Sequence, residues 1–398
     1  MVIVEITWII IQVLIGYNLV LPFVLYLFSF LVRKKIYAKA PAEADYGIIV
    51  TAYEQTDSLP AVVNSILRLN YSNYLVYVVA DKCECDISTL NFNDDRVILL
   101  RPPETLGSNT RSHFYAINNF KRAHERLTIV DSDNLVHPAY LNELDKLFNV
   151  GFTAVQGVRE AKNLDTNYAC LDAARDIYYH FYDGKLLFNI GSSATLAGSG
   201  MAFTTALYRE CLEHKDVSGA GFDKVLQAEI VGRNRRIAFT GEAIVYDEKT
   251  TRSDQLVKQR SRWINTWFRY FGFGFTMIGK GITNFSRNQF VFGLILLRPP
   301  LFIFLLLSVF CMFINLWLSI TIAFLWLISL IVFVIGFYIS LAKSDTDSRI
   351  YRSLVNIPKF IFFQVLSLMK VRKANQHSVA TRHYHTGEDD ITPKQNEN

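Results

Sequence analysis

Two short motifs in this chain carry side chains suited to one kind of chemistry. Asp131-Ser132-Asp133 ends the apolar run Leu127-Thr128-Ile129-Val130. Carboxylates at the C-terminal edge of a strand can hold a hard divalent cation, and that cation can grip a diphosphate. The expected ion is Mg²⁺ or Mn²⁺, held by Asp131, Asp133 and phosphate oxygens. It would offset the charge of a leaving group that otherwise departs poorly. Further along stands Gln259-Arg260-Ser261-Arg262-Trp263. A glutamine and two arginines can make charge-assisted hydrogen bonds to a diphosphate, and Trp263 offers a flat face to a sugar ring. Each motif has a plainer reading. Asp-x-Asp is common in surface turns, and an Arg/Trp-rich helix is common where a protein meets a bilayer.

The elements that must position these residues are legible as an α/β segment over residues 33–288. Gly47 to Ala52 predicts a buried strand, Ser58 to Leu69 a helix, and Tyr74 to Ala80 a second strand. Arg96 to Leu100 predicts a third strand, Arg111 to Arg126 a helix, and Leu127 to Val130 a fourth strand. Alternation of this kind implies a mostly parallel sheet. Ligands of such sheets bind beyond the strands' C-terminal ends. Glu54, Asp81 and the Asp131/Asp133 pair all fall just past such ends.

The two ends of the chain read as membrane. Hydrophobic residues make up 51% of the 398 residues, with 30 Phe and 20 Tyr. Ile3 to Leu31 carries one charge, Glu5, and at 1.5 Å per residue runs about 44 Å against a hydrocarbon core of roughly 30 Å. One tilted or kinked span over residues 1–32 is expected, with Pro22 as the kink. Pro299 to Leu341 is long enough for two spans, with a turn near Asn315. Residues 289–342 are therefore assigned to two transmembrane helices, Phe290 to Leu297 either joining the first or lying in the interface. Arg33, Lys34 and Lys35 flank the first span, and Arg287, Lys343 and Arg349 flank the others. The positive-inside bias places the central segment in the cytosol, at a bacterial inner or plasma membrane. Ile350, Leu354, Ile357, Ile361, Val365 and Leu368 share one helical face. Over residues 343–374 this predicts an amphipathic helix on the membrane surface, interrupted at Pro358. Packing on the central domain is the alternative. Residues 375–398 read as a polar tail.

Composition narrows the partners. The formal net charge of +5 suits anionic lipid and an anionic substrate, and nothing points to nucleic acid. The five cysteines are an odd number on a cytosolic face, which argues against a disulfide framework. Cys83-x-Cys85 lacks the second pair that a metal site would need.

With these residues in place, the chain resembles membrane-anchored family 2 glycosyltransferases of GT-A fold, the group of cellulose, hyaluronan and poly-N-acetylglucosamine synthases. Ile48 to Glu54 is similar to the first strand and its nucleotide loop, and Val78 to Asp81 to the second strand with its base-binding Asp. Asp131-Ser132-Asp133 matches the Asp-x-Asp, and Val155-Gln156-Gly157 the strand after it. Gly198-Ser199-Gly200-Met201-Ala202-Phe203 resembles the Gly-rich acceptor loop, and Gln259 to Trp263 matches QxxRW. Two departures stand out. Gly107 to Arg111 replaces the usual Gly-Lys, with Arg111 in place of the lysine charge. Gly221-Phe222-Asp223 replaces Thr-Glu-Asp, so the Asp is kept and its acidic neighbour becomes Phe222.

The resemblance implies roles. Tyr53, Glu54, Asp81, Asp131 and Arg111 would bind a nucleotide-sugar donor, expected to be UDP-linked. Asp223 would be the base that takes a proton from the acceptor hydroxyl in an inverting transfer. A helix N-cap at Asp223 is the structural alternative. Gln259, Arg260, Arg262 and Trp263, with Gly198, Ser199 and Gly200, would hold diphosphate and acceptor. Polysaccharide synthesis on a glycan acceptor is the leading expectation. Three spans give few helices for a channel, so a second copy or an export partner is expected with it. Transfer of a single sugar to a lipid or short glycan is the second reading. A silent nucleotide-sugar-binding scaffold, suggested by Phe222 alone, is the third.

Overall fold

The computed structural model describes residues 2–32, 43–83 and 92–370. Arg33, Lys34, Lys35, Cys85, Arg372 and the polar tail lie outside them. The other four cysteines are free and buried.

Eight strands form one mixed sheet, in the order β3-β2-β1-β4-β7-β6-β8-β5. They are β1 (Tyr46–Tyr53), β2 (Tyr74–Asp81), β3 (Val97–Leu100) and β4 (Arg126–Asp131), then β5 (Leu135–Val136), β6 (Ala154–Ala161), β7 (Met201–Thr204) and β8 (Ala238–Asp247). The pairs β1–β2, β1–β4, β2–β3 and β6–β8 are parallel, while β4–β7, β6–β7 and β5–β8 are antiparallel. Ile48, Ile49, Val50, Ile129 and Val130 are at most 1% exposed. Such runs suit strands covered on both faces, and each such side chain contributes about 1.5–3 kcal/mol on burial.

Three sequence expectations move. The helix expected over Arg111 to Arg126 spans only Asn109–Asn118. Beyond it, Lys121 donates its backbone N–H to the Tyr77 hydroxyl at 2.8 Å, and His124 Nδ1 lies 2.8 Å from Asp45. These contacts hold a loop where periodicity suggested another turn of helix. Met201 to Phe203, read as part of a glycine loop, is strand β7, wedged antiparallel between β4 and β6. The break between the last two spans falls at Ser319, which is extended, and not near Asn315. Asn315 stays helical and buried, donating to the Cys311 carbonyl at 2.7 Å.

Three helices are long and apolar enough to cross a membrane: Ile3–Ser29, Leu301–Leu318 and Ile320–Ala342. Pro22 sits inside a first helix that runs unbroken over Val2–Ser29. Gln12 Oε1 ties the three together, accepting from Asn315 Nδ2 at 2.6 Å and Trp326 Nε1 at 2.9 Å. Arg287–Leu297 is a separate helix, divided from the first C-terminal span by Arg298, Pro299 and Pro300. Pro299 and Pro300 cannot donate, so the break falls where they stand.

The C-terminal amphipathic segment folds as Ser348–Ser353, a short 3-10 turn, and Ile357–Met369. Pro358 stands in the first turn of the last helix, where its missing N–H costs nothing. It starts that helix where the sequence suggested an interruption. The helix docks on the α/β domain through Phe360, which packs with Leu171 and Leu256. Phe362 and Met369 remain exposed.

Candidate active site

The strand order reverses between β1 and β4. From β1 the chain runs outward through β2 and β3, then returns to the other side of β1 as β4. Such a switch point opens a crevice at the C-terminal strand ends. Tyr53 ends β1 and Glu54 follows it on one side, and Asp131 ends β4 opposite Thr51 on the other. Glu54 has φ +62° and Lys82 φ +54°. The two are bridged at 2.7 Å on the surface. Asp81 is buried and already engaged. Its carboxylate accepts from the backbone N–H groups of Leu106 at 2.9 Å and Gly107 at 2.8 Å. It therefore positions that loop. Arg111 is exposed and paired with Asp216.

Antiparallel β7 brings the glycine loop to Asp131. Gly200 donates to the Ile129 carbonyl at 3.1 Å. Ser199, fully buried, accepts from the Asp131 backbone N–H at 3.2 Å and from Asn134 Nδ2 at 2.7 Å. Gly198 at φ +90° and Gly200 at φ +66° adopt a backbone that few other residues would. Asp133 lies in the following turn, its carbonyl 3.5 Å from Lys162 Nζ.

Asp223 stands in the first turn of the helix Phe222–Gly232. The helix cap is Gly221, at φ +106°, so the capping position considered for Asp223 lies two residues before it. A Cβ on Gly221 would come within 2.5 Å of the Tyr270 ring and 2.7 Å of Thr266. Both belong to the helix Ser253–Tyr270 that carries Gln259 to Trp263. This glycine thus lets that helix close onto the turn presenting Asp223. Phe222 points into the core, its ring 5.0 Å from His113 and edge-on to it. Asp223 pairs with Lys224 at 3.0 Å, and Lys224 also donates to the Leu196 carbonyl at 3.0 Å.

The QxxRW helix is held by charges that sequence reading missed. Arg260, 2% exposed, pairs with Asp172. Asp172 also meets Arg175 at 2.9 Å, and Arg175 meets Asp176 at 2.5 Å. Lys249, 1% exposed, bridges Asp176 at 2.6 Å and Asp247 at 2.9 Å, and Arg159 stands 3.5 Å from both. Burial pushes the Asp172 carboxyl up to about 6, against the pull of Arg175. Burial works the same way on Asp176, but Arg175, Lys249 and Arg159 overcome it and hold it well below the ordinary range. A signal did exist: Asp172, Arg175 and Asp176 sit three and four apart on one helix, Asn167–Tyr179. Seven π-helical residues follow, His180–Leu186, a form often found at functional sites.

The guanidinium carbons of Arg260 and Arg175 stand 4.1 and 4.3 Å from the centre of the Trp263 ring. The ring expected to stack on a sugar thus already has cationic partners within the chain. Arg260 Nε and Nη1 are buried without a hydrogen-bond partner. Gln259 accepts from Thr250 at 3.1 Å. Arg262 is half-buried, and burial pulls its pKa down.

Asp131, Gly198, Asp223, Arg260 and Trp263 line one cavity of about 700 Å³. The remaining predicted residues, Tyr53, Glu54, Asp81, Arg111, Asp133, Ser199, Gly200, Gln259 and Arg262, stand outside its lining. Ser199 supports it through Asp131. Among the described residues no group of three or more His, Cys, Asp or Glu is gathered to form an all-protein metal cage. Two carboxylates two residues apart at a strand end fit Mg²⁺ or Mn²⁺, which take one or two carboxylates and fill other positions with phosphate and water.

A mixed sheet with a switch-point crevice, a strand-end Asp pair and apolar helices at both ends defines a membrane protein with a GT-A-like domain. The model of "Glycosyltransferase like family 2" matches residues 42–266, and the chain belongs to that family. Among solved structures, the mannosyltransferase PcManGT from Pyrobaculum calidifontis, in complex with GDP-Man and Mn²⁺, is similar with TM-score 0.54 at 14% identity. The alignment covers 92% of this chain and 98% of that one. S. aureus TarS 1-349 in complex with UDP matches with TM-score 0.39 at 13% identity, over 59% of this chain and 65% of that one. No curated protein matches the sequence.

Proposed function

We propose that the protein is an inverting, metal-dependent glycosyltransferase that uses a nucleotide sugar at the inner face of a membrane. The observation that carries this reading is the shared cavity, whose lining includes Asp131, Asp223 and Arg260. Tyr53 and Glu54 flank the nucleoside, and Asp81 acts through the Leu106–Gly107 loop that it holds. Asp131 and Asp133 would hold Mg²⁺ or Mn²⁺, which supplies Lewis-acid stabilisation of the departing diphosphate. The unspent N–H groups of Arg260 are donors for the same diphosphate.

Asp223 takes the acceptor proton as the hydroxyl oxygen attacks the anomeric carbon. The bond to the diphosphate oxygen breaks, and the nucleoside diphosphate leaves with the electron pair. Lys224 holds the carboxylate in place until then. The donor is UDP- or GDP-linked. Of the two acceptor classes, single transfer to a lipid or short glycan is favoured over polymer synthesis, because the cavity continues as an apolar cleft among the membrane helices. Such a transfer needs neither a channel nor a second copy. The basic residues flanking the spans support a cytosolic catalytic face.

The test is Asp223→Asn in the full-length chain. Donor binding by calorimetry is expected to persist while transfer falls about 10²- to 10⁴-fold, the usual contribution of a general base. Undiminished transfer would remove Asp223 from the role.

A further inference from the structure

The cavity does not end at the catalytic side chains. From Asp223 and Trp267 it continues past Arg298 to Phe302, Leu305, Leu330, Phe333 and Val334. These residues belong to the two C-terminal spans. The helix Ile357–Met369 contributes Phe360 and Ile361 to the same lining. Phe302 and Phe333 are buried, whereas Val334 is 50% exposed and Tyr338, also in the lining, 49%. One end of the cleft thus holds catalytic carboxylates, and the other reaches the lipid-facing surface of a span.

At the junction stands a buried ion pair, Arg298 with Asp183, 7% and 4% exposed. Each partner has an unused polar atom. Arg298 Nη1, a donor, and Asp183 Oδ1, an acceptor, are buried without a hydrogen-bond partner. Buried polar atoms are nearly always satisfied, so an unmet donor and an unmet acceptor on one ion pair in a cavity lining call for a ligand that supplies both.

We propose that this cleft is the acceptor site and that it takes a membrane lipid with an uncharged, hydroxyl-bearing headgroup, a diacylglycerol or a glycosyl diacylglycerol. A hydroxyl accepts from Arg298 Nη1 and donates to Asp183 Oδ1. A lipid phosphate can satisfy only Arg298 and would face the Asp183 carboxylate, a like charge. The pair is neutral as a whole, which suits a neutral headgroup. The reaction agrees, and here the inference rests on the function proposed above. A phosphate nucleophile is already ionised at neutral pH and needs no base, whereas a hydroxyl does. The lipid oxygen forms the new bond to the anomeric carbon, its proton passes to Asp223, and the nucleoside diphosphate leaves with the bonding pair.

The experiment uses the full-length protein in nanodiscs with Mn²⁺ and radiolabelled UDP- and GDP-sugars. Four acceptors are compared: diacylglycerol, glucosyl diacylglycerol, a polyprenyl phosphate and a soluble oligosaccharide. Label is expected in the organic phase with one of the two hydroxyl lipids, at a rate at least tenfold above that with polyprenyl phosphate. Val334→Trp, which narrows the cleft at its lipid end, is expected to raise the KM for the long-chain lipid about tenfold and leave kcat within twofold. It leaves the Arg298–Asp183 pair intact, so the test does not depend on a variant that fails to fold. Nucleotide release without lipid labelling, or preference for the phosphate or the oligosaccharide, overturns the lipid assignment and leaves the transferase reading standing. Absence of donor binding and of nucleotide release with every sugar overturns both.

Discussion

The two walls of the cavity are built by opposite means. On the β4 wall, Asp131 stands where strand pairing leaves it, its backbone N–H held by Ser199, with Asp133 in the turn just beyond. On the other, Arg260 pairs with Asp172 inside a buried network that also links Arg175, Asp176, Lys249, Asp247 and Arg159. The first wall inherits its geometry from the fold. The second is a set of buried charges in which each partner makes the next one tolerable. Losing a side chain from the two walls should therefore have different consequences: for chemistry on the first, for folding as well on the second.

The largest effect is expected from Arg260→Leu. It leaves Asp172 buried without that partner, which typically costs about 3–5 kcal/mol. Denaturant unfolding in detergent measures it, and a loss below about 1 kcal/mol would mean that the network does not hold this wall. Asp133→Asn should leave unfolding within about 0.5 kcal/mol of wild type. It should raise the Mn²⁺ concentration for half-maximal transfer about tenfold or more. A stability loss like that of Arg260→Leu would erase the difference between the walls.

The third test uses acid. Burial pulls the His180 pKa down to about 4, against the upward influence of Asp176. The unfolded chain binds that proton near pH 6.5. The stability from keeping His180 neutral is therefore complete above pH 6.5 and lost as pH falls toward 4, at up to about 1.4 kcal/mol per unit. Asp172, raised to about 6, works in the opposite direction below that pH. Subtracting the pH profile of His180→Gln isolates the histidine. Parallel profiles would place its proton balance elsewhere. The smallest effect belongs to Lys82→Ala. Its bridge to Glu54 is 50% and 38% exposed, so less than about 1 kcal/mol is at stake. A larger loss would show that this edge of the crevice is also held by charge.

The same contrast explains what the sequence disclosed. A strand followed by Asp131-Ser132-Asp133 is contiguous, so pattern alone finds both the element and the site. Three spans are legible because each is one uninterrupted apolar run. The charge network is not, since Arg159, Asp172, Lys249 and Arg260 are spread over a hundred residues and meet only through the fold. Asp81 shows a subtler limit. It is the last residue of β2, at the strand end the pattern pointed to, but the sequence could not show that the Leu106 and Gly107 N–H groups take both carboxylate oxygens. Asn315 misled as a turn residue, because its amide is consumed by Cys311 and Gln12 inside the membrane region.

That contact with Gln12 also sets an order of events. The glutamine is synthesised 303 residues before the asparagine that caps it. At roughly 5–20 residues per second, that interval lasts on the order of 15–60 s. Throughout it, the first helix sits in the bilayer with a polar side chain and no permanent neighbour from the C-terminal pair. The membrane bundle is thus closed last, after the whole catalytic domain has left the ribosome, and the end of the chain locks in its beginning.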